Sequence, residues 1–63
     1  MIPKSLQWHD IKVGKTVIVH FASGWHPRTG VIVGVVENKV VLAVHDDDGK
    51  LYTTHKQPDE LSE

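Results

Sequence analysis

Cysteine is absent from this 63-residue chain, so no disulfide can staple it, and its histidines and acids show no structural-zinc spacing that could take a disulfide's place. A chain of this size buries only about 60% of the surface its unfolded form exposes. That leaves room for one domain over residues 1–63 and one core, with stability drawn from packing or from a partner. The lack of cysteine also fits a reducing compartment. No apolar stretch approaches the roughly 20 residues of a membrane span, and residues 1–5 are followed by charged positions rather than by the apolar core of a signal peptide. The expectation is a soluble, cytoplasmic protein with no membrane partner. Neither sign of charge is in excess: the formal net charge of -1 argues against a general polyanion binder, which would carry a basic surplus.

Charge is nevertheless uneven along the chain, +3 over residues 1–30 and -4 over residues 31–63, which can give the folded domain two faces of opposite sign. What the chain has in quantity is valine, in short runs broken by Gly, Pro, Asn and Asp at strand spacing, and this predicts an all-β fold. After a turn at Gly14 and Lys15, residues 16–21 read as a first strand with Val17, Val19 and Phe21 on one face. Ser23, Gly24, His26 and Pro27 mark residues 22–28 as a loop with Trp25 near its tip.

Residues 29–36 form the second strand, and Gly34 inside it predicts a bulge that lets both Ile32 and Val35 face inward. Glu37, Asn38 and Lys39 make a tight hairpin, with Asn38 suited to left-handed backbone. The third strand, 40–45, alternates Val40, Leu42 and Val44 against Val41, Ala43 and His45. Asp46, Asp47, Asp48 and Gly49 turn the chain into a fourth strand over 50–55. Pro58, Asp59 and Glu60 then predict a single helical turn over 57–61, because proline suits a first helical position and acids suit its amino-terminal end. Leu61 would plug one end of the core. In the leading segment, Leu6, Trp8, Ile11 and Val13 are available to cover the other side. The expected buried set is Val17, Val19, Ile32, Val35, Val40, Leu42 and Val44.

From Val13 onward the order of features resembles the Src-homology-3 (SH3)-like small β-barrel superfamily, in particular its KOW-like and Tudor-like members. The matching elements are Val13-Gly14, the Val17-Ile18-Val19 strand, then Gly30, Ile32 and Val35. They continue through Val40, Leu42 and Val44, Asp48-Gly49, and the closing run Pro58, Asp59, Glu60, Leu61. The resemblance implies a five-stranded barrel, open or nearly closed, that binds ligands between the loops joining strands one and two and strands three and four. It implies no activity, since this architecture hosts many unrelated functions. A methyl-lysine cage needs several converging rings, and the aromatic side chains here are Trp8, Phe21, Trp25 and Tyr52.

Five histidines invite a metal hypothesis, which would require His20 and His45 to meet across strands with an Asp nearby. The alternative, ordinary strand and surface histidines, needs no motif, and no metal or other cofactor is expected. The acids at 46–48 are consecutive, whereas a calcium loop alternates its ligands, so a plain hairpin turn is expected there. Catalysis has no cysteine nucleophile, and Ser5, Ser23 and Ser62 lack a context that would activate a hydroxyl. A non-catalytic module is therefore expected.

The candidate partner-binding residues are Trp25, His26 and Arg28 on the loop, with Lys15 and Tyr52, because Trp and Arg dominate interface hot spots. Trp25 could equally fold back as a lid over the core. Three functions follow. The first is a protein–protein interaction module or regulatory accessory subunit. The second is a nucleic-acid-binding barrel using Lys12, Lys15, Arg28 and Trp25. The third is a homo-oligomer whose exposed strands bury Ile18 and Val41 against a copy of the chain.

Overall fold

The computed structural model describes residues 4–21 and 26–63. Five strands, β1 (Thr16–Val19), β2 (Arg28–Val36), β3 (Lys39–His45), β4 (Leu51–Lys56) and β5 (Leu61–Ser62), form one antiparallel sheet in the order β4-β3-β2-β1-β5. Helical content among the described residues is limited to two 3-10 turns, Trp8–Asp10 and Pro58–Glu60. The all-β expectation is met, and the helical turn expected over 57–61 is a 3-10 turn with Pro58 at its start. The sheet does not close into a barrel. Its two edges, β4 and β5, are joined through the second 3-10 turn and share no ladder.

Alternation decides the core. Val17 and Val19 on β1, Ile32 on β2, and Val40, Leu42 and Val44 on β3 point to one side and are buried with Leu6 and Leu61, while Ile11, Phe21 and Tyr52 pack around them. The bulge expected near Gly34 is present. Ile32 pairs with Leu42 and Gly34 with Val41, so Val33 is the extra residue. Past it the strand bends, and this corrects the expectation for Val35. Val35 pairs with Val40 close to the hairpin, where little packs over it, and it is 50% exposed. The hairpin is a two-residue loop with both Glu37 and Asn38 at positive φ, 52° and 64°, the backbone that matches strand twist.

The leading segment covers the core differently from expectation. Leu6, whose N–H donates to the Leu61 carbonyl at 2.9 Å, is the covering residue. Trp8, which was expected to share that task, stands 46% exposed on its 3-10 turn, and Val13 is exposed as well. The turn carries Trp8 off the core once Leu6 and the Ser5 to Ser62 bridge have pinned the chain along β5.

Gly30 is the tightest point of the core. A Cβ there would stand 3.0 Å from methyl carbons of Val19 and Val44 and 3.3 Å from the Ala43 carbonyl oxygen. Both valines are fully buried and stiff at χ1, so they have nowhere to retreat. Gly30→Ala is expected to cost about 1–3 kcal/mol by overpacking. Gly34→Ala, where an added Cβ meets nothing within 4 Å, is expected to be neutral or slightly stabilising. Urea unfolding of the two variants checks the contrast.

Candidate functional site

The sheet's outer side is set by the same alternation. Thr16, Val31, Ala43 and Thr53 lie in one row across β1 to β4, and Gly34, Val41 and His55 in the next. Ile18 beside Thr29 and His45 beside Leu51 begin the face at its other end. No Asp, Glu, Lys or Arg occupies any of these positions. Val31, Val33 and Leu51 stand exposed, Leu51 at 62%. Together with Ala43 and His45 they line a shallow depression that reaches Arg28 at its rim. An apolar centre with polar groups at the edge is the anatomy of a protein interface.

The rim is built where the start of β2 meets the β3–β4 turn. Asp46 shapes the turn: its Oδ1 accepts from the N–H groups of Asp48 and Lys50, each at 2.9 Å, and Gly49 takes φ +80°, the left-handed backbone that a glycine adopts freely. This leaves the Asp47 carboxylate to reach the Arg28 guanidinium at 3.0 Å. The Arg28 side chain is mostly covered, and its Nε is buried without a hydrogen-bond partner. The Arg28 hydrogen bond holds the Asp47 carboxyl below its ordinary range, with the guanidinium charge adding to it and His26 contributing less. A carboxyl lowered in the folded state stabilises above its unfolded pKa and loses that contribution as pH falls through the folded value. The tie between the start of β2 and the β3–β4 turn is therefore expected to hold at neutral pH and to release only in acid, below the ordinary carboxylate range. An Asp47 carboxyl resonance that titrates at or above the ordinary value would contradict it.

The structure distributes the sequence-predicted site residues unevenly. His26 is exposed near Asp47, Arg28 is bound to Asp47, and Tyr52 is half-buried against the core on the inner side, close enough to act on Arg28 electrostatically. Lys15 precedes β1, at the opposite end of the strand from Val19, the partner of Arg28, and its ammonium is 2.6 Å from Glu63. Trp25 lies outside the described residues. Phe21, half-buried, has the Lys56 ammonium 4.6 Å from its ring centroid, and Lys56 is also paired with Glu60 at 3.4 Å.

One pairing was hidden from sequence reasoning. His20 Nε2 and the Ser62 hydroxyl are 2.7 Å apart across 42 residues of sequence, and the His20 backbone N–H donates to the Glu60 carbonyl at 3.0 Å. Serine beside histidine is the start of a nucleophile dyad, yet among the described residues no carboxylate bonds the imidazole to orient it. The bond ties the end of β1 to β5. His45 sits on the outer face beside Leu51, on another part of the sheet. Among the described residues no three His, Asp or Glu side chains come together as metal ligands, and no helix is long and apolar enough to cross a membrane.

Comparison with protein-family models, curated proteins and solved structures finds no match. The functional reading therefore rests on the outer face, its rim and the charges around them.

Proposed function

We propose that the chain is a non-catalytic protein-interaction module that docks another protein on the outer face of β1 to β4, with the Arg28–Asp47 rim orienting the partner. The observation that carries this reading is the uncharged, partly apolar centre of the face, whose outward charge, Lys39, stands at the hairpin end, in a chain where about a quarter of the residues are charged. The fitting partner presents an apolar, uncharged patch, since a charge brought onto Val31 or Ala43 would lose its water and find no counter-charge.

The arrangement of five antiparallel strands, with a 3-10 turn ahead of the last, supports membership of the SH3-like barrel superfamily in an open form. The ligand region that this membership implies lies between the first and third inter-strand loops, and the Arg28–Asp47 pair, joining the start of β2 to the third of those loops, fits a contact there. A nucleic-acid reading has less support. Of the cations that reading would use, Lys15 and Arg28 are each paired with an internal carboxylate, which leaves Lys12 to meet phosphate.

Salt distinguishes the two. Affinity for the partner is expected to change less than about threefold between 50 and 200 mM salt, whereas several phosphate contacts would weaken it by about a thousandfold. A steep salt slope measured by titration calorimetry would overturn the protein-docking reading.

A further inference from the structure

Among the described residues β4 is the sheet's long free edge. The edge at β5 is two residues long and is already bridged by Ser5 and bonded by Leu6. β4 runs for six residues, Leu51–Lys56, and among the described residues it pairs with β3 alone. The direction of its backbone groups follows from the ladder. The Asp46 N–H donates to the Lys50 carbonyl at 2.9 Å, which makes Asp46 and Lys50 a hydrogen-bonded pair. Such pairs alternate, so Tyr52, Thr54 and Lys56 turn their N–H and C=O groups toward β3. Leu51, Thr53 and His55 aim theirs outward.

Natural edge strands are guarded by charges, proline or bulges. Residues 51–55 carry no Lys, Arg, Asp, Glu, Pro or Gly, and Tyr and Thr favour strands. We propose that this edge pairs with β4 of a second copy, antiparallel about a two-fold axis normal to the sheet at Thr53, making one continuous sheet.

With the axis at Thr53, all three outward-facing residues are paired, and this fixes the register. A two-fold normal to the sheet keeps both outer faces on one side, so residues of the same facing stand opposite each other: Thr53 against Thr53, Leu51 against His55, Tyr52 against Thr54. Each N–H and C=O of Leu51, Thr53 and His55 then finds a partner, and no like charges meet within 51–55. Just beyond, Lys50 faces Lys56 of the second copy. Lys56 is held inward by Glu60 and Phe21, but the two ammonium groups stop the ladder at these residues and keep it reversible. A contact this small belongs to the weak, transient class. The dimer is independent of docking on the outer face, which it leaves open and doubles in width.

Sedimentation velocity from about 10 µM to about 1 mM, the range of weak association, is expected to show the mass rising toward twice the monomer. Over the same range, hydrogen exchange should slow at the amides of Leu51, Thr53 and His55 and stay unchanged at Tyr52 and Thr54. Thr53→Pro removes an outward N–H that β3 does not use, which an edge strand tolerates, and should give a folded monomer. Thr53→Lys puts two ammonium groups face to face on the axis and should do the same if the proline variant fails to fold. Lys50→Gln should tighten the dimer. A chain that stays monomeric at 1 mM, or a dimer that survives in a folded Thr53 variant, would overturn the proposal. So would protection of the three amides that appears only when an extended peptide from another protein is added.

Discussion

Leu42→Ala is expected to destabilise the domain by about 2–5 kcal/mol, the range for truncating a fully buried leucine. Leu42 lies in the middle of β3, paired with Ile32 on one side and Thr54 on the other, and is fully buried among Ile32, Val40, Val44 and Leu61. No disulfide shares the load, and a chain of this length has about 3–9 kcal/mol of total stability at the usual 0.05–0.15 kcal/mol per residue. The variant should therefore lose from about a fifth of its urea midpoint to all of it, and in the upper part of the range show no folded baseline. Val36→Ala, at a position on the same sheet that is largely exposed, should move the midpoint by about 0.5 kcal/mol or less. A larger effect at Val36 than at Leu42 would mean that the inner and outer sides have been exchanged, and equal effects would contradict the difference in burial.

The inner side was readable because its signal is local. Val17 and Val19, and Val40, Leu42 and Val44, repeat every second residue with no polar position among them, and all five are buried. The turns were readable for the same reason: Asn38 and Gly49 each take the left-handed backbone that their residue type allows. Val35 escaped because alternation gives its facing and not how far the core extends beneath it. Trp8 escaped because a large ring in a leading segment looks like a cover, while Leu6, two residues earlier, already fills the position beside Leu61. The fifth strand, Leu61–Ser62, is too short to show any period and exists because β1 offers it an edge.

The site was less legible, since its parts are brought together by pairing across distant segments. Ile18 and Val41 could be named from sequence as surfaces a second copy would cover, and both do lie on the outer side of the sheet. That Val31, Ala43 and Thr53 stand in one row depends on two strand registers, one of them shifted by the bulge at Val33. Arg28 could be chosen as an interface residue, but its carboxylate, Asp47, lies in a turn where three consecutive acids look alike. Only Asp46 turns its carboxylate inward onto the backbone, which frees Asp47 for the bridge. The His20–Ser62 contact had no sequence signal, because nothing local relates those two positions.

The outer face carries the functional account, and Val31 is near its centre, flanked by Thr16 and Ala43. Val31→Lys places an ammonium group in the middle of an otherwise uncharged contact. The position is already more than a third exposed, so stability should fall by no more than about 1 kcal/mol, the span of strand preferences. Burying the charge under a partner should cost about 2 kcal/mol or more, as at an interface hot spot, or roughly thirtyfold in Kd. The most direct measurement is calorimetric titration of wild type and Val31→Lys, at equal folded fraction by circular dichroism, against the partner captured by a photo-cross-linking residue at Val33. The account predicts a Kd weakened at least roughly thirtyfold by the added charge. An unchanged Kd would contradict it by placing the contact elsewhere, and a tightened one would mark the face as a surface for phosphate rather than for protein.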